Sequence, residues 1–195
     1  MEMKVLVYPI EPPTGIPTGK LGMWVFLVSE IMFFTGLIGS YIVLRLGSAG
    51  WPHPGETLNT GLLAVNTLVL ITSSLTMALA LNAAQQGRQA SLRRFLLATA
   101  LLGLTFLGIK GYDYLHMWRR GFTIASNLFG SCYYLLTGFH ALHVLSGVIV
   151  LTTLLTAASR PVLSQTTVGR VEYSGLYWHF IDIVWVILFA ILCLV

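Results

Sequence analysis

Long apolar runs separated by short polar links dominate this chain. Five runs stand at about 20–46, 60–84, 94–118, 129–157 and 172–195, each holding the roughly 20 residues that a helix needs to cross a hydrocarbon core. The links are brief. Residues 47–59, GSAGWPHPGETLN, carry the Gly and Pro of a true loop, and residues 85–93, QQGRQASLR, are polar and basic. Residues 119–128 open on Arg119 and Arg120, and residues 158–171 hold Arg160, Pro161 and Arg170. There is no internal repeat, no low-complexity tract and no room for a soluble domain. The pattern predicts an all-α membrane protein, a single bundle of five transmembrane helices over 20–195. Residues 1–19, with Pro9, Pro12, Pro13 and Pro17, read as an extended arm on the surface. They lack the long apolar region and small-residue cleavage site of a signal peptide.

Composition sharpens the choice of solvent. The chain is 56% hydrophobic and 9% charged, against about 25% charged residues in a soluble domain. The net charge of +4 is spread over the links and is no nucleic-acid patch. It does set an orientation. With the N-terminus inside, Lys4, Lys20, Arg88, Arg93, Arg94, Arg160 and Arg170 lie on the inner side, and Arg45, Arg119 and Arg120 on the outer. Five crossings then put the C-terminus outside. Trp24, Trp51 and Trp118 fall near segment ends, as interfacial anchors do. Cys132 and Cys193 lie inside apolar runs and read as small apolar residues without a disulfide framework. Gly36, Gly39, Gly103, Gly108, Gly138 and Gly147, with Ser73 and Ser74, mark positions where helices can approach closely.

The informative residues are the ionisable ones inside the apolar runs. Glu30 stands in VFLVSEIMFF, ten residues beyond Lys20. That is about 15 Å along a helix, near the midplane of a core about 30 Å thick. A carboxyl there is costly unless paired, protonated or wet. In the fifth run Glu172 sits at the inner mouth, and His179 and Asp182 share a face at a spacing of three. His140 and His143 do the same in the fourth run, and Lys110, Asp113 and His116 in the third. Depth sorts them into a central layer of Glu30, His143, His179 and Asp182, and an outer layer of Lys110, Asp113, His116 and His140.

Each group has a plainer reading beside the chemical one. A His-x-x-His pair can ligate a metal, but interhelical hydrogen bonding is a sufficient role for membrane histidines. Lys110 and Asp113 read as a structural ion pair. Two roles stay open for Glu30, a proton-linked carboxyl and a buried structural one.

SEIMFF, LLAVNT, GYDY, TGFHALHVLSG and VEYSGLYWHFIDIVW, in this order over residues 20–195, resemble subunit III of the haem–copper oxidases, as exemplified by the cytochrome c oxidases. The resemblance implies a non-catalytic transmembrane subunit without metal or other cofactor of its own. Haems and copper lie in partner subunits. The chain would pack against subunit I of a proton-pumping terminal oxidase in the bacterial plasma membrane, stabilise it and sustain its proton uptake. Glu30 matches the family's carbodiimide-reactive membrane carboxyl. His140, His143 and His179 match its motif histidines, and Glu172 and Asp182 its motif acids. These five are expected to form a buried polar network. Bound phospholipid is a family feature, with Arg45, Arg160 and Trp178 as candidate headgroup contacts.

The chain departs from the best-known members in two ways. Those have seven helices, and this one resembles their last five, as bacterial forms do. The family's lipid cleft lies between the first two helices and the rest, so one wall is absent here. Asp113 also stands where the family has Glu, with Lys110 added. Subunit III of a quinol oxidase and the related subunit of a nitric oxide reductase are the near alternatives. A proton-coupled transporter is the distant one. Transporters show repeats or Gly/Pro-broken helices, and none of the five runs contains an internal proline. A proton channel would want a polar stripe along one helix, and the polar groups here are scattered over four.

Overall fold

The computed structural model describes residues 15, 17–48, 50–52, 58–159 and 165–194. They form five helices, α1 Thr18–Leu46, α2 Thr60–Gln85, α3 Gln89–Arg119, α4 Leu128–Ala158 and α5 Gln165–Phe189, with a π-helical turn at Ala190–Leu194. All five are long and apolar enough to cross a membrane. The arm expected at 1–19 lies almost wholly outside the described residues.

Local chemistry explains several boundaries. Asn59 and Asn127 cap α2 and α4, their side chains accepting from the amides of Leu62 at 3.1 Å and Gly130 at 2.7 Å. Gly87 and Gly121 close α2 and α3 in the left-handed conformation, at φ 67° and 79°. The amides of Arg88 and Phe122 then reach back to the carbonyls of Ala83 and Met117, the Schellman closure that glycine favours. The tight turn at Gly87 shortens the expected link, so α3 starts at Gln89 rather than near residue 94. Helix α5 likewise begins at Gln165, ahead of the expected 172. In both cases polar residues extend the helix past the apolar window, which reports the hydrocarbon core and not the helix end.

Helices α2 to α5 form the packed body, with α2 against α3 and α5, and α4 against α3 and α5. Helix α1 lies at the edge, its main neighbours α5 and α4. Its buried residues are Leu27, Phe34 and Tyr41, one every seven positions. That is a single narrow seam. Trp24, Val25, Val28, Ile31 and Met32 point outward.

The centre of the body is a wedge. Trp178 of α5 is 1% exposed and enters a slot made by Gly103 of α3 and Gly147 of α4. A Cβ at either glycine would lie 2.8 Å from its ring. Its indole N–H donates to Ser73 Oγ of α2 at 3.0 Å, so one side chain joins four helices. The headgroup contact expected of Trp178 is therefore corrected: the ring is inside the bundle. Gly36, Gly39 and Gly108 have no described neighbour within 4 Å of a built Cβ, so the close helix approaches expected there are also corrected.

Candidate functional site

Glu30 meets His143. The carboxylate of α1 and the imidazole of α4 approach to 2.9 Å between Oε2 and Nε2, with the two side chains 17% and 18% exposed. The other ring nitrogen, Nδ1, lies 2.7 Å from the carbonyl of Phe139. A carbonyl only accepts, so Nδ1 carries a hydrogen. The Nε2–Oε2 contact then requires one more proton. Either a protonated Glu30 donates to neutral imidazole, or imidazolium donates to carboxylate. Both forms have zero net charge and share a single proton, which lowers the cost of holding two ionisable groups in apolar surroundings.

Helical spacing builds the surroundings. Phe139, Leu142, His143 and Ser146 lie on one face of α4 and meet Phe26 and Glu30 of α1 and Tyr177 of α5 around an open cleft of about 340 Å³. Ser146 Oγ and Tyr177 Oη are 2.7 Å apart, one donating to the other, and the carbonyl of His143, 2.8 and 3.3 Å from them, accepts from the hydroxyl whose hydrogen is left. Phe33 and Phe34 flank the imidazole, with ring centroids 6.3 and 5.1 Å away. The site is a proton-sharing pair with a hydroxyl pair beside it, in an apolar frame that opens sideways.

The single network expected of His140, His143, Glu172, His179 and Asp182 is corrected, because these residues go to separate places. Glu172 accepts from Lys20 at 2.7 Å and ties the start of α5 to the start of α1. His140 is fully buried between Phe106 and Trp185, with centroids 5.6 and 4.9 Å away. Neither of its ring nitrogens has a partner among the described residues. His179 Nδ1 lies 2.7 Å from Ser74 Oγ of α2. Asp182, one turn on, faces a second cleft with His179. The central layer is thus divided between an α1–α4–α5 cleft and an α2–α5 cleft.

Lys110 and Asp113 pair within α3, Nζ to Oδ2 at 3.2 Å, and are 2% and 3% exposed. Tyr133 of α4 completes a triangle, accepting from Lys110 at 2.6 Å and donating to Asp113 at 2.7 Å. The ammonium also lies 4.4 Å from the Tyr133 ring centroid. His116 stands apart, stacked on Tyr112. Arg45 reaches toward the Ile191 carbonyl at 3.5 Å, beside Tyr41 Oη at 3.2 Å, at a cleft of about 350 Å³. Arg160 lies outside the described residues.

Sequence reasoning missed Tyr133, Ser146 and Tyr177. Each is a hydroxyl in an apolar run whose partner sits on another helix, so no spacing along the chain discloses it. Ser74 was visible only as a small residue.

The family model described as cytochrome c oxidase subunit III matches residues 14–194. A Mycobacterium leprae protein named probable cytochrome c oxidase subunit 3 is 40% identical over 190 residues, covering 95% of this chain and 91% of the relative. A Nocardia farcinica protein of the same name is 39% identical over 187 residues, covering 94% and 90%. The Bacillus subtilis cytochrome c oxidase subunit 3 is 35% identical over 191 residues, covering 96% and 92%.

Proposed function

The chain belongs to the cytochrome c oxidase subunit III family, and on that premise we propose that it is the accessory, non-catalytic subunit that binds subunit I of a proton-pumping haem–copper terminal oxidase. It stabilises subunit I and supports proton uptake there, in a bacterial plasma membrane with its N-terminus inside. The haems and copper reside in the partner subunits. The names of the relatives favour cytochrome c over quinol as the electron donor of the complex.

The observation that carries the proton-linked part is the Glu30–His143 contact with its single shared proton. A cleft open to the bilayer lets that proton be reached from outside the bundle, which a purely structural pair does not need. His140, Glu172, His179 and Asp182 hold helices together or face other clefts, and Lys110 with Asp113 is a structural pair. Arg45 and Arg160 are the proposed contacts for phospholipid headgroups. The cleft beside Arg45 lies between α1 and the end of α5, so this lipid position does not need the two helices that longer family members have.

The test is Glu30→Gln in the assembled oxidase. The variant assembles with wild-type haem content, and sustained turnover with proton uptake falls below wild type. Equal turnover and uptake would remove the proton-linked role. Deleting the whole subunit shortens the lifetime of activity more than it lowers the initial rate. Immediate loss of all oxygen reduction from an intact remaining complex would contradict the accessory role.

A further inference from the structure

We propose that the cleft between α2 and α5, floored by Ser74, His179 and Asp182, is the binding site for a hydrogen-bond-donating side chain on a transmembrane helix of the partner oxidase subunit. The proposal rests on the accessory-subunit reading and adds a place and a chemistry of contact.

His179, Asp182, Ile183 and Val186 lie on one face of α5 by their spacing. With Ile71 and Ser74 of α2 and Ile187 they line a recess of about 360 Å³. Its floor is polar and its rim apolar, Ile71 being 48% and Ile183 60% exposed. Asp182 is 7% exposed, and neither of its carboxyl oxygens has a hydrogen-bond partner among the described residues. Buried polar groups are almost always satisfied, and more so where no water is at hand. His179 already directs Nδ1 to Ser74.

The Ser74 hydroxyl stands beside this carboxyl, but with one hydrogen it serves at most one of the two oxygens, so a donor for the other comes from outside the described residues. Acyl chains can cover the apolar rim but carry no donor. The recess has several times the roughly 30 Å³ of one water, room for a side chain with an apolar stem and a donor tip. The exposed faces of α2 and α5 beside it, Leu68, Ile71 and Leu75 with Ile183, Val186 and Ile187, suit helix packing. A contact polar at its centre and apolar around it is the usual form of association between membrane helices. Asp113 finds its cation and its hydroxyl within the chain, whereas the Asp182 oxygens are buried at the base of the recess without such a pair.

The test uses the whole oxidase purified through a tag on this chain. A photoreactive side chain at Ile183, with Asp182 intact, is expected to crosslink to a transmembrane segment of the haem-bearing subunit. Asp182→Leu keeps the branched four-atom shape and removes the acceptors. It is expected to speed loss of this chain from the complex in detergent by roughly three- to tenfold, the range of hydrogen bonds between membrane helices. Asp182→Asn keeps one acceptor and is expected to lie between the two. Capture of lipid alone at Ile183, capture of nothing, or dissociation of Asp182→Leu at the wild-type rate would each overturn the proposal. If the tagged wild-type chain brings down no haem protein, the accessory-subunit reading fails first and the proposal falls with it.

Discussion

The bundle holds two paired sites of opposite character. Lys110, Asp113 and Tyr133 form a closed triangle, with the two charged side chains 2% and 3% exposed. Glu30 and His143 form an open pair, several times more exposed, on the wall of a cleft. The closed site joins a residue pair on α3 to α4, inside the packed body. The open site joins α4 to α1, the helix held by one narrow seam. On the proposed reading the closed triangle holds its helices, and the open pair keeps its shared proton within reach of the cleft.

Perturbation should break the two sites differently. The largest effect is expected for Lys110→Ala, which leaves Asp113 buried without its cation and costs about 3–5 kcal/mol in detergent unfolding followed by circular dichroism. Lys110→Met with Asp113→Leu should recover most of that loss, because no charge is then left unpaired. Gly147→Val tests the packing that keeps the body closed. It places carbon where the Trp178 ring lies and should cost about 1–3 kcal/mol. Glu30→Gln should cost about 0.6 kcal/mol, the average for hydrogen bonds between membrane helices. It should also remove a deuterium-sensitive carboxyl band from the infrared difference spectrum of the oxidase. If Lys110→Ala proves no more damaging than Glu30→Gln, the distinction between closed and open sites is lost. Smallest of all, Lys20→Ala breaks a pair whose side chains are 37% and 35% exposed and should leave the melting temperature within error.

Much of the architecture was legible in advance, for an elementary reason. In hydrocarbon every backbone group must be satisfied within its own segment, so a long apolar run commits to a helix. The run lengths therefore specified five membrane-length helices. Helix starts at Gln89 and Gln165 were less legible, because hydropathy ends where the bilayer ends. The intramembrane acids and histidines were visible as costly residues. Their partners were not: spacing identifies neighbours on one helix, as with Lys110 and Asp113, and says nothing of which faces meet.

The sequence by itself determined the all-helical class, the number of membrane-length apolar helices, the family motifs and the position of Glu30, His143, His179 and Asp182 along their helices, since all of these follow from residue type and order. Only the tertiary structure decided how these four are shared out. The rotation of each helix about its axis sends Glu30 to His143 and turns Asp182 toward another cleft. It also carries Trp178 inward between two glycines. Such rotations are set by packing among five helices at once, a property that no single stretch of sequence contains.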